Sequence, residues 1–159
     1  MKKIKKFQKK NNTENKKVKN AKKVSYGGID FKSRLELYCY KKLKESSLQF
    51  KYEPRAFILL IGNKPNLVKF YDPDKNTKGL KLNTTKLTNT TYTPDFVGDK
   101  WIIETKGIKS STYSLKMKMF REYLETTGNE WFIFEPHNQY QIDEAIKLIK
   151  NIINKTSLN

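Results

Sequence analysis

The 159 residues carry 33 Lys and Arg against 16 Asp and Glu, a net charge of +17, and a balance that basic points to a polyanionic partner, because each phosphate contact releases condensed counterions. A single cysteine, Cys39, and a single histidine, His137, exclude an internal disulfide and a Cys/His zinc cluster. No apolar run approaches the length of a membrane span, and the start Met1-Lys2-Lys3-Ile4-Lys5-Lys6 lacks the apolar stretch of a secretory signal, so a cytoplasmic protein with no membrane partner is expected.

Residues 1–23 hold eleven lysines and one acid, Glu14, and so ten of the seventeen net charges. The segment has no apolar periodicity and repels itself, which predicts a flexible basic arm. It is either a solubility tail or an arm in which Lys2, Lys3, Lys5, Lys6, Lys9 and Lys10 grip phosphates; a basic domain behind it favours the second. Ordered structure is expected from Val24, with a turn at Tyr26-Gly27-Gly28 and an extended piece at Ile29–Phe31. Ser33 opens a helix to about Ser46, with Leu35, Cys39 and Leu43 at i, i+4, i+8 and Tyr38 beside them. Phe50–Tyr52 and Ala56–Ile61 read as strands separated by Pro54. The stretch from Gly62 to Thr91, rich in Asn, Lys, Thr, Pro and Gly, reads as a long excursion with one or two short strands such as Leu67–Tyr71. Asp72, Asp74 and Asp99 read as turn formers.

Tyr92–Val97 and Trp101–Thr105 flank Gly98-Asp99-Lys100 and predict a hairpin. Gly107–Thr112 is a loop. Tyr113 to about Thr126 is an amphipathic helix with Leu115, Met119, Phe120, Tyr123 and Leu124 on one face, ended by Gly128. Lys116, Lys118 and Arg121 lie off that face; with Lys109 they are a solvated surface or, if the helix lines a cleft, phosphate contacts. Trp131–Phe134 is an apolar strand, with His137 a turn residue beyond it. Gln141 to about Asn154 is a last helix with Ile142, Ala145, Ile146, Ile149 and Ile153 inward. This order predicts an α/β domain over residues 24–159, a mixed sheet flanked by helices.

Pro94-Asp95 and Glu104-Thr105-Lys106 are the candidates for chemistry. Alternate strand residues share a face, so Glu104 and Lys106 point one way and Thr105 the other, and a hairpin partner brings Asp95 beside them. Two carboxylates and an ammonium at the end of strands as apolar as Ile102-Ile103 are costly unless paired or metal-bound. Hard cations such as Mg²⁺ or Mn²⁺ take one or two carboxylates plus phosphate oxygens and water. Asp95 and Glu104 fit that role, with the Thr105 backbone carbonyl as a third ligand, while Lys106 positions the attacking water or neutralises charge developing on the phosphate. Glu-x-Lys arises often in a lysine-rich chain, and a surface hairpin with solvated charges is the alternative. Ser33-Arg34-Leu35-Glu36 has the spacing of a capping box. Glu36 is either that cap or an additional ligand of metal or water.

Three segments, Phe31-Lys32-Ser33-Arg34-Leu35-Glu36, Tyr92-Thr93-Pro94-Asp95-Phe96 and Ile103-Glu104-Thr105-Lys106-Gly107, resemble in this order the phage endonuclease I family of Holliday-junction resolvases, and Phe50-Lys51-Tyr52-Glu53 matches too. Tyr113-Ser114-Leu115-Lys116-Met117-Lys118-Met119-Phe120 resembles a helix of a related group of small phage nucleases of the PD-(D/E)xK superfamily. The likeness spans roughly residues 26–135. It implies a restriction-endonuclease-like core and a metal-dependent active site of Glu36, Asp95, Glu104 and Lys106, with Glu36 a ligand rather than a mere cap. It implies DNA as partner, a homodimer that cuts opposing strands of a symmetric junction, and the host cytoplasm as compartment. The 62–91 excursion is longer than that family's connection between these motifs, and the bridge through which its dimer exchanges strands has no visible counterpart. A Mg²⁺-dependent endonuclease for branched DNA is therefore expected, with a nuclease of broader specificity, a non-catalytic nucleic-acid-binding protein or a virion protein as alternatives.

Overall fold

The structure is a computed structural model that describes residues 23–107 and 110–156. The basic arm, except Lys23, and Lys109 lie outside the described residues. Val24–Tyr26 (β1) and Ile29–Phe31 (β2) pair antiparallel across Gly27 and Gly28, at φ +59° and +78°, a left-handed turn that side chains disfavour. Helix α1, Arg34–Glu45, begins where the Ser33 hydroxyl accepts the Glu36 amide at 3.1 Å, which satisfies a donor the helix itself leaves unpaired. Cys39 and Leu43 are buried on its inner face, while Leu35 and Tyr38 are half-buried. Lys51–Tyr52 (β3) and Phe57–Leu60 (β4) follow, then Phe70–Pro73 (β5), Leu80–Asn83 (β6), Thr90–Tyr92 (β7), Phe96–Val97 (β8) and Trp101–Ile103 (β9). Helix α2 (Ser111–Glu125), strand β10 (Phe132–Phe134) and helix α3 (Gln139–Thr156) complete the chain.

The centre is a mixed four-stranded sheet in the order β10-β9-β8-β3, parallel between β10 and β9 and antiparallel elsewhere. All three residues of β9 are buried, as expected of a strand covered on both faces. Trp101 and Ile103 pack with α1 and α3 through Cys39, Leu43, Ile142 and Ile149. Ile102, on the other face, packs with Tyr113, Met117, Phe120 and Leu124 of α2. The mixed α/β fold is thus the one the element order predicts, with α2 as the crossover that joins the parallel strands β9 and β10.

Three differences from the sequence reading have physical causes. The run expected as one strand, Tyr92–Val97, is two: β7 pairs with β4 in a separate ribbon, and β8 joins the central sheet. Pro94, which has no N–H for a ladder, stands at the switch. Helix α2 buries Tyr113, Met117, Phe120 and Leu124 and leaves Leu115 60% exposed, because Tyr113 rather than Leu115 sets the buried row at i, i+4, i+7, i+11. The excursion's two short strands form the hairpin β5–β6, the first displaced from the expected Leu67–Tyr71 to Phe70–Pro73. The hairpin's register is set by a turn in which Asp74 Oδ1 accepts the Asn76 amide at 3.0 Å and the Asp74 amide reaches Gly79 O at 3.0 Å. Asp72 lies within β5, not in a turn.

Candidate active site

The hairpin β8–β9 fixes the centre of the site. Its register pairs Phe96 with Ile103 and Val97 with Ile102, so the next pair outward is Asp95 with Glu104. The turn is tight: the Gly98 amide donates to Trp101 O at 2.9 Å, and a Cβ on Gly98 would lie 2.0 Å from the Trp101 indole. Only glycine fits there. Beyond β9 the backbone still runs beside β10, with the Glu104 amide on Phe134 O at 2.9 Å and the Lys106 amide on Pro136 O at 3.2 Å.

Asp95 and Glu104 are 7% and 3% exposed, and they touch. The Asp95 amide donates to Glu104 Oε2 at 3.2 Å, and Asp95 Oδ2 accepts both the amide and the hydroxyl of Thr105, each at 2.8 Å. Thr105 was expected to face away. Its hydroxyl reaches the same cluster because the Asp95 carboxylate takes the position beside β9 that the β8 ladder has vacated. Lys106 Nζ lies 3.5 Å from Glu104 Oε1 and 4.5 Å from the centre of the Tyr113 ring.

Burial pushes the Asp95 carboxyl up to about 7, Glu104 and Glu36 add to the rise, and the Thr105 hydrogen bonds oppose it. Burial also raises Glu104, against the Tyr92 hydroxyl and the Lys106 ammonium, which favour its charged form. The Tyr92 hydroxyl is buried beside Glu104, yet no acceptor stands at hydrogen-bonding geometry to it. Two carboxylates that resist ionisation at the end of a buried strand form a site whose charge is not compensated from within.

Glu36 is 6% exposed and faces the pair without touching it. Its Oε1 accepts the Ser33 hydroxyl at 3.1 Å; its Oε2 accepts the Lys32 amide and the Tyr52 hydroxyl, both at 2.9 Å. The cap is therefore real, and it reaches one residue further back than the usual box. Lys32 Nζ pairs with Glu53, whose amide donates to Asp95 O at 2.8 Å. Sequence reasoning gave no role to Lys32, Tyr52, Glu53, Tyr92 or Glu135. Tyr92 was legible from its place three residues before Asp95; the others arrive through tertiary contacts.

Lys118 and Arg121 are exposed on α2 and Lys116 is half-buried. Arg121 lines a depression of about 490 Å³ with Trp131, Leu124 and Glu130, at the end of β10 opposite to Glu135. Lys2, Lys3, Lys5, Lys6, Lys9, Lys10 and Lys109 lie outside the described residues. His137 is exposed, its amide on Gln141 Oε1 at 2.6 Å, a turn position before α3.

Among the described residues no group of three or more His, Cys, Asp and Glu side chains is arranged to cage a metal ion. The donor set that is present, Asp95 and Glu104, suits a hard cation that keeps waters and takes phosphate oxygens. Two adjacent buried carboxylates with raised proton affinity are the observation that favours such a fit. Also among the described residues, no helix is long and apolar enough to cross a membrane. Comparison with curated proteins and with solved structures gave no match. The family model described as "Protein of unknown function (DUF1064)" matches residues 16–137, which is most of the chain and includes Glu36, Asp95, Glu104 and Lys106, and the protein therefore belongs to that family.

Proposed function

We propose that the protein is a metal-dependent nuclease of the PD-(D/E)xK type that hydrolyses phosphodiester bonds in DNA, with branched DNA as first substrate and a homodimer as the working form. The observation that carries the reading is the register pair Asp95–Glu104, buried, resistant to ionisation and flanked by the Lys106 ammonium. A surface hairpin with solvated charges would have none of these properties. A four-stranded mixed sheet between α1/α3 and α2 is consistent with a restriction-endonuclease-like core.

Asp95 and Glu104 would hold Mg²⁺ or Mn²⁺, which when bound supplies a polarised phosphate and a more acidic water. Thr105 holds Asp95 in one orientation through two hydrogen bonds. Lys106, one third exposed, presents its ammonium to solvent at the cluster, where it orients an attacking water or takes up negative charge on the phosphate. Glu36 and Tyr52 brace the Asp95 side from α1 and β3.

The test is cleavage of a junction, a flap, a duplex and a single strand, each with and without Mg²⁺, by the wild type and by D95A and E104A. The reading expects Mg²⁺-dependent cutting, fastest on the junction, and no cutting by either variant, with DNA binding kept. Binding of all four substrates without cleavage of any would leave a nucleic-acid-binding protein instead.

A further inference from the structure

Building on the nuclease reading, we propose that Tyr113 is a positioning residue for Lys106, and that Glu135 anchors it. Lys106 follows the last assigned residue of β9 by three positions, so the sheet fixes its backbone but not its four-carbon side chain, which is free to sample many rotamers in water. Two neighbours restrain the ammonium: Glu104 Oε1 at 3.5 Å and the face of Tyr113 at 4.5 Å from the ring centre. They are not equivalent. A carboxylate that holds a cation also cancels its charge, and Glu104 is engaged elsewhere once a metal is bound. A tyrosine face attracts the ammonium through its ring quadrupole and leaves the positive charge intact for a phosphate.

The ring is itself held from two sides. Tyr113 is 7% exposed, and its amide is held by the Ser110 hydroxyl that caps α2, at 3.1 Å. Its hydroxyl donates to Glu135. Glu135 comes next after β10, and the parallel register of Ile103 with Phe134 makes it the sheet neighbour of Glu104. The parallel pairing thus supplies one carboxylate for the candidate site and a second that pins the aromatic floor under Lys106.

The test uses the full chain, with a readout that needs no cleavage. In the metal-free protein carrying ¹³C-lysine, the Lys106 Hε protons, identified by their loss in K106A, are expected upfield of the other lysines because they sit over the ring. Y113L is expected to abolish that shift, whereas Y113F, which keeps the ring, retains it. In single-turnover cleavage with Mg²⁺, Y113L is expected to be slower by roughly 10- to 100-fold, the scale of a misplaced catalytic group, with KM little changed, and Y113F, which keeps the ring but loses its bond to Glu135, to fall between Y113L and the wild type; a Y113F rate equal to the wild type removes Glu135 from the proposal. In a K106A background Y113L should cost less than about twofold more, since residues that act as a unit are not additive. Unshifted Lys106 protons in the wild type, or a Y113L loss that is undiminished in K106A, overturns the proposal. Absence of cleavage by the wild type overturns the nuclease reading, while the proton shift still decides whether Tyr113 holds Lys106.

Discussion

Thr105 gives Asp95 Oδ2 two hydrogen bonds, one from its amide and one from its hydroxyl, each 2.8 Å long. Both favour the charged carboxylate and oppose the upward push of burial and of Glu104. Thr105→Val removes the hydroxyl bond and keeps the amide bond. The Asp95 carboxyl should then titrate higher still, and stability at neutral pH should fall by about 1–2 kcal/mol, with a smaller loss near pH 4, where Asp95 is protonated. Carboxyl ¹³C titration and urea unfolding at both pH values measure this. An equal loss at the two pH values would mean that the hydroxyl acts by packing alone.

Asp95→Asn should stabilise the metal-free protein at neutral pH. The unfolded carboxyl titrates at about 3.9, and in the folded chain burial, then Glu104, carries it up to about 7. Between those values the unfolded chain has released the proton and the folded chain still holds it. The favourable contribution of the protonated group is therefore full below about pH 4 and is lost as pH rises to about 7. Asparagine does not titrate, and its oxygen can still accept from Thr105. The stability difference in favour of the variant should grow across that window, to about 4 kcal/mol, and then level off. Mg²⁺ should stabilise the wild type and not the variant. Urea unfolding in EDTA and in Mg²⁺ gives both curves, and a difference that stays flat with pH refutes the charge argument.

Glu36→Gln separates the cap from the charge. The sequence alone suggests little loss of stability, since glutamine serves in a capping box. In the fold, Glu36 takes donors on both oxygens, from Ser33, Lys32 and Tyr52. The amide can keep its oxygen on the Lys32 amide and the Tyr52 hydroxyl and turn its N–H₂ to Ser33 Oγ, which then accepts instead of donating, so the charge-assisted part of these bonds is lost and a cost of about 0.5–1.5 kcal/mol is expected. If the carboxylate acts in the site as well, single-turnover cleavage should fall by on the order of a hundredfold, well beyond the effect of Tyr52→Phe, which removes a hydrogen bond but no charge. A variant that unfolds more easily but cuts at the normal rate would reduce Glu36 to a helix cap.

Gly98→Ala should be severely destabilising, by about 3 kcal/mol or more, because its methyl group would overlap a buried indole. That carbon would stand 2.0 Å from the Trp101 ring, which is 3% exposed. Thermal unfolding followed by tryptophan fluorescence tests it. A melting temperature within about 2 °C of the wild type would mean that the turn can open without cost to the register that pairs Asp95 with Glu104.

Removal of residues 1–23 should leave the melting temperature and the single-turnover rate at saturating DNA unchanged. It should weaken DNA binding and flatten its salt dependence, since up to eleven lysine contacts with phosphate are lost. Titrations at several salt concentrations measure the slope. An unaltered slope would identify the segment as a solubility tail.

The local features of this protein are written in its sequence. Ser33 and Ser110 begin helices because their hydroxyls can reach backbone amides two or three residues ahead, although only the first of these starts was expected in place. Trp101-Ile102-Ile103 reads as an apolar strand, and the turn at Gly98-Asp99-Lys100 as the hairpin that brings Asp95 beside Glu104, although burial of that hairpin does not follow from the sequence. Contacts between distant segments were not legible. Period-2 and period-3.6 patterns say which side of an element is apolar, not what it meets, so Leu115 was assigned inward in place of Met117 and Tyr113. Tyr52 on Glu36, and Glu135 on Tyr113, follow from the sheet order β10-β9-β8-β3, which no residue of those pairs encodes by itself. The raised proton affinity of Asp95 belongs to the tertiary structure too: the chain supplies the carboxylates, but only the layers packed over both faces of the sheet remove the water that would have let both ionise.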